Sequence, residues 1–347
     1  MITKNYGLRT TDYGRRPGFT LVEMLVVIAI IVILVSLLAA AVSKAINTAE
    51  DAANRTEISK LEAAIESFKQ HFGVKYLPSL IWLDETLQYN APPTNLNDYI
   101  PPGPQQMQIL NQLLTDSQVY LKQLWPQLAI PAPSPAGYID WNGDGIKGNS
   151  SLILGGDQTL VFFLGGIPAR SGVAVTGFST NKRDPAWHVA NGGDVIQPFY
   201  DFKSDRLARL HFANTPQNQL NLYFSYLDYH GRSDANGNPV NSEYKPFAYF
   251  SSYKAGNDYN RYMINGQILD CFPLKITPTQ PLQPYIEAGT NPVIFINRNG
   301  YQIISAGADR KFGPGGAWSA ATASQVYPQG SPGADDQANF HPRKLGD

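Results

Sequence analysis

A single carboxylate, Glu23, interrupts the apolar run FTLVEMLVVIAIIVILVSLLAAAV, which covers the 24 residues from Phe19 to Val42. A carboxylate in lipid costs roughly 2.5–3.5 kcal/mol on insertion scales, so one kept in such a run calls for a partner of opposite charge. Just before it, Gly18 has no side chain to shield its carbonyl, which suits attack by a peptidase on an extended segment. Farther along, Asp140, Asn142, Asp144 and Gly145 in DWNGDG fit the D-x-[DN]-x-[DN]-G opening of a calcium loop. The twelfth position, which should supply an acid, is Ser151, so Asp157 would have to bend back to complete the ligand set. DANGNP at 234–239 reads as a turn.

Conventional catalytic signatures are missing from the sequence. The five histidines, His71, His188, His211, His230 and His341, stand apart, with no H-E-x-x-H, no G-x-S-x-G and no phosphate loop. Acidic residues are too scattered to nominate a hydrolytic pair, so no enzyme is expected. His188 beside Trp187 reads as packing, and the lone Cys271 as a small buried hydrophobe.

The elements that must position these residues follow from composition and period. The chain has 347 residues, 43% hydrophobic and 16% charged, which describes an ordered protein with enough material for one large domain or two ordinary ones. A net charge of −1 without a basic stretch in the body gives no reason to expect nucleic acid. As a helix, residues 19–42 would extend about 36 Å, enough to span a bilayer. Lys4, Arg9, Arg15 and Arg16 outweigh Asp12, placing the short first segment in the cytoplasm and the rest beyond the membrane. Three readings fit this segment: a secretory signal peptide cut at Ala39-Ala40-Ala41, a plain anchor, or a leader cut before the apolar run.

Residues 43–72 continue without Gly or Pro, and Ile58, Leu61, Ile65, Phe68 and Phe72 form one apolar stripe, ended by Gly73 and Pro78. Residues 73–347 read as a head domain, of which 79–290 is an enlarged, loop-rich middle region. One helix is expected from Gln105 to Leu128. Strands are expected at 159–164, 221–229, 247–253, 292–298 and 301–307, the last two joined as a hairpin by Asn299-Gly300. The 19 tyrosines suit aromatic-rich strands and a surface of long loops.

GFTLVE, residues 18–23, resembles the N-terminus of type IV prepilins and type II secretion pseudopilins. The resemblance implies cleavage after Gly18 by a prepilin peptidase and N-methylation of the new first residue, Phe19. It also implies that Glu23 faces the Phe19 amine of a neighbouring subunit. Two positions depart from the family: Pro17 stands where a basic residue is commoner, and Ala40 where many members have proline. The stretch YQIISAGADRKFGPGG and the later GADDQANF are similar to the end of the major pseudopilin, with longer spacing. This implies calcium held by Asp309, Asp335 and Asp336. The expected fold is α+β and pilin-like, a long N-terminal helix packed on an antiparallel head sheet.

The expected function is a structural subunit of a type II secretion pseudopilus or pilus-like filament. Its partners would be other pilin or pseudopilin subunits, a secretion or pilus assembly platform and the inner membrane, crossed once with the head periplasmic or extracellular. The alternatives are an adhesin-like binding protein using the Tyr-rich head and a membrane-anchored enzyme.

Overall fold

The apolar stripe of the N-terminal helix decides where the core lies. In the computed structural model, residues 18–130, 137–146, 148, 150–209, 223–240, 245–254, 256–271, 273–277 and 280–347 are described. The basic residues of the first segment lie outside them. A helix runs from Leu21 to Phe72, and the chain divides into residues 1–49 and 50–347. In the first unit the large apolar side chains from Leu21 to Leu38 are 44–81% exposed. That is the pattern of a segment whose solvent is lipid.

In the second unit Ile58, Leu61, Ala64, Ile65 and Phe68 are buried, as the three-and-four spacing predicts. They join a cluster containing Trp82, Leu113, Phe162, Phe163, Tyr249 and Ile303. Each such side chain contributes roughly 1.5–3 kcal/mol on burial. Residues from the middle region, 79–290, are thus continuous with the core on the helix. The strand Tyr301–Ser305 is central in a three-stranded antiparallel sheet, between Ala248–Ser251 and Gln337–Ala338. Other strands pair in twos. Ile81–Asp84 with Ser151–Leu154 is antiparallel, and Tyr285–Glu287 with Gly316–Trp318 is parallel. The result is mixed α and β with small, mainly antiparallel sheets.

A strap of polar contacts fixes residues 337–344 along the helix. Lys344 Nζ meets Asp51 at 2.7 Å, Gln337 Nε2 donates to Asp51 at 3.2 Å, and Asn339 Nδ2 donates to Glu62 at 3.0 Å. Arg55 donates to the Pro342 carbonyl. Asn54 donates to Ser305 Oγ at 2.8 Å and to Gln337 at 3.3 Å.

Several expectations are corrected. TLVFFL is helix, within Gly156–Gly165, with every residue buried. A short apolar run buried on all sides has no period to separate helix from strand, and here length favours the helix. Its first turn needs glycine, because a Cβ on Gly156 would stand 1.8 Å from the Tyr249 carbonyl oxygen. Residues 292–298 form no strand and no hairpin with 301–305. Instead Gly300 N–H donates to Asn297 O at 2.8 Å, with Asn297 at φ +54°, and Tyr301–Ser305 takes its partners from distant segments. The type I′ turn belongs to another Asn-Gly pair, Asn265 (φ +52°) and Gly266 (φ +78°), joining Met263–Ile264 to Gln267–Ile268.

The helix expected at 105–128 runs over Gln106–Leu124. The strands expected at 221–229 and 247–253 shorten to Phe224–Tyr226 and Ala248–Ser251; residues 221–222 lie outside the described residues. Among the described residues most tyrosines are buried rather than at the surface. Tyr99, Tyr120, Tyr223, Tyr226, Tyr249, Tyr253, Tyr259, Tyr262 and Tyr285 are among the largest fully buried side chains. Hydroxyl partners make this possible, as where Tyr249 donates to Leu77 O at 2.8 Å and Tyr120 to Tyr76 O at 2.7 Å.

Candidate functional site

Three candidate regions can be built from the residues upward, and the first is the start of the helix. Gly18 and Phe19 precede the helix in non-helical backbone and are exposed, Phe19 by 76%. Thr20 is the N-cap and Glu23 the third helical residue. Glu23 Oε2 accepts from Thr20 N and Thr20 Oγ1, both at 2.8 Å, and Glu23 N donates to Thr20 Oγ1 at 3.2 Å. This reciprocal capping box satisfies amide donors that helix geometry leaves open. Among the described residues nothing bonds Glu23 Oε1, so the side chain closes the first turn with one oxygen and presents the other outward. Glu23 stands out in the sequence by its charge and Thr20 does not, although T-x-x-E is a capping signal. Helix continues through Ala39, Ala40 and Ala41.

A second carboxylate of this helix, Glu57, is buried in the head. It pairs with Arg206, itself buried, and its Oε1 accepts from Tyr200 at 2.7 Å and Tyr226 at 2.8 Å. Arg206 donates with its other nitrogens to the Leu227 carbonyl, at 3.1 and 2.6 Å. Both Glu57 oxygens and all three Arg206 nitrogens are engaged, and such hydrogen bonding around the charges is the condition under which a buried ion pair is tolerated. Little in the sequence marks this site beyond an acid next to Ile58, since the partners of Glu57 are well over a hundred residues away. A third buried acid, Asp270, has hydroxyl partners and no cation: Ser79 Oγ, and Tyr253 OH at 3.3 Å. Burial pushes its pKa up to about 7.

The two proposed calcium loops differ. Asp309 and Asp335 face each other, the Asp309 N–H donating to Asp335 Oδ2 at 2.7 Å. Burial, and then the neighbouring Asp335 charge, push Asp309 up to about 6. Asp336 turns inward, fully buried, accepting from Gly313 N at 2.8 Å and, more weakly, from Tyr285 OH. Burial holds it protonated well above the usual carboxylate range. Oδ1 of Asp335 and of Asp336 has no hydrogen-bond partner among the described residues.

In the other loop, Asp140 accepts from Gly145 N at 2.8 Å, Asn142 Oδ1 from Asp144 N at 3.0 Å, and Asp144 from Ile146 N at 2.6 Å. These are the internal bonds of Asx turns. Asp157 does not bend back to this loop; it accepts from Ser225 at 2.6 Å inside the core. Among the described residues no three His, Cys, Asp or Glu side chains converge in a geometry that would hold a metal ion.

Of the smaller readings, Cys271 is buried and unpaired in a disulfide, donating to Tyr249 O. His188 shares a 2.8 Å hydrogen bond with Thr176 Oγ1, and residues 234–238 close as a turn on Asp234.

Compared with known proteins, residues 14–39 match the model of the prokaryotic N-terminal methylation motif. No curated protein and no solved structure matches the chain. The motif supports a type IV pilin-like protein processed by a prepilin peptidase and assembled with other pilin-type subunits. The one long apolar helix among the described residues fits a single-pass membrane anchor.

Proposed function

We propose that the chain is a structural subunit of a type II secretion pseudopilus or pilus-like filament, cut between Gly18 and Phe19 and methylated on the Phe19 amine. The observation that carries this reading is the first turn: exposed, non-helical Gly18-Phe19 followed by Thr20–Glu23 with one Glu23 oxygen unengaged. Hydrolysis of the Gly18–Phe19 bond creates an α-amine, and Glu23 Oε1 of a neighbouring subunit is the carboxylate that neutralises it in lipid. Pairing of that kind is head to tail and does not close, so it propagates into a filament. The segment before the apolar run stays cytoplasmic, and the head lies on the far side of the inner membrane.

Helix running through Ala39–Ala41 favours this over signal-peptidase cleavage there, and buried tyrosines disfavour a Tyr-rich adhesive surface. Calcium at Asp309 and Asp335 belongs to the same reading. The Asp335 carboxylate beside Asp309, with its Oδ1 unpartnered among the described residues, suits a divalent cation completed by loop carbonyls. Mass spectrometry of the mature chain tests the proposal. Methyl-Phe19 as first residue is the expected result; a chain beginning near Val42, or at Met1, overturns it.

A further inference from the structure

Five Asn-Gly dipeptides occur in the chain: Asn142-Gly143, Asn191-Gly192, Asn236-Gly237, Asn265-Gly266 and Asn299-Gly300. Asparagine followed by glycine is open to internal attack, because no Cβ shields the glycine nitrogen from the Asn side-chain carbon. Sequence alone ranks the five equally. Hydrogen bonding separates them. Asn142 and Gly143 are buried, and Asn142 Oδ1 accepts from Asp144 N–H at 3.0 Å, which fixes the side chain that would have to be attacked. Gly192 donates to His188 O at 2.9 Å, Gly237 to Asp234 O at 3.0 Å, and Gly300 to Asn297 O at 2.8 Å. In these last three, the nitrogen that must lose its proton and turn toward Cγ is fixed in another direction.

Gly266 differs. The positive φ angles at Asn265 and Gly266 make a type I′ turn closed by the pair Ile264 and Gln267. In that turn the N–H of the second central residue takes no part in closure. Among the described residues no backbone acceptor meets the Gly266 N–H. Both turn residues are exposed, and the ladder beneath them is only two pairs long, so the tip opens readily.

We propose that Asn265 is the principal site of spontaneous deamidation in this protein. The Gly266 nitrogen bonds to Asn265 Cγ and gives its proton to solvent base. The Cγ–Nδ2 bond then breaks and ammonia leaves, forming a five-membered succinimide. Water opens that ring at either carbonyl, yielding Asp or isoaspartate. Both products add a negative charge to the tip, and isoaspartate also inserts a methylene into the backbone, which a type I′ turn cannot accommodate. Isoaspartate formation therefore disrupts the hairpin 263–268, whose Ile264 and Ile268 are buried in the core, whereas the Asp product keeps an Asp-Gly turn; the modification accumulates with the age of the molecule.

The test uses the folded full chain in mildly alkaline buffer made with heavy-oxygen water, followed by peptide mapping. Label is expected in the Asn265 peptide at least several-fold faster than in the other four, divided between Asp and isoaspartate. In chain unfolded by urea the five rates should converge. Asn265 reacting no faster than Asn299 or Asn236 in folded protein, or an order unchanged by unfolding, overturns the proposal.

Discussion

Glu23 and Glu57 lie on the same helix, and both are acids in surroundings that disfavour charge. Glu57 has Arg206, Tyr200 and Tyr226 within its own chain. Glu23 has only Thr20, which satisfies one oxygen and supplies no positive charge. The comparison teaches how to tell a completed site from one awaiting a partner. At Glu57 the cation is built in and the acid serves the fold; at Glu23 it is not, and on the proposed function a neighbouring subunit supplies it.

Removing each carboxylate's role separates the two. Glu23→Ala should abolish incorporation into filaments, with cleavage after Gly18 retained and unfolding of the head unchanged. Normal incorporation, measured by shearing and immunoblotting, would break the contrast. Arg206→Ala should do the opposite, destabilising the head by about 3–5 kcal/mol, because it strands a buried carboxylate. Denaturant unfolding of the anchored protein in detergent reads this, and an unchanged midpoint would show that Glu57 does not depend on its cation.

Asp270 sharpens the comparison as a buried acid given no cation. Its folded carboxyl keeps its proton up to about pH 7, whereas the unfolded group releases it near 3.8. The stability of the protonated form is full below the unfolded value. It falls as pH rises between the two values and levels off above the folded one. Asp270→Asn should flatten that slope in urea titrations across the interval; a slope that persists assigns the pH dependence elsewhere. The smallest effect belongs to Thr20→Ala, which should weaken the first turn by about 1 kcal/mol. It should reduce filament yield without the complete loss expected of Glu23→Ala; equal loss would make Thr20 part of the pairing itself.

How much was legible in the sequence tracks how local each signal is. Gly18, Phe19 and Glu23 stand together in six residues, and the stripe from Ile58 to Phe72 repeats within one helix, so both were readable. Glu57 and Arg206 are 149 positions apart, and no local pattern reports such a pair. TLVFFL was misread because full burial erases the polar face that distinguishes a helix from a strand. The hairpin was misplaced because Asn299-Gly300 and Asn265-Gly266 carry the same turn chemistry. Strand partners decided between them, and those partners are set by the sheet. The Asp309–Asp335 pair is brought together across 26 residues, with Asp336 turned away into the core.

The strap of residues 337–344 along the helix spans sequence separations of 277 to 293 residues. Contacts so distant close late, since a long loop must be immobilised before they form. During synthesis the helix emerges first and must wait, with Asp51 and Glu62 unmatched, until the segment that covers them has been made. A chain interrupted before residue 337 therefore leaves Asp51, Arg55 and Glu62 facing solvent without the groups that the last residues bring to them.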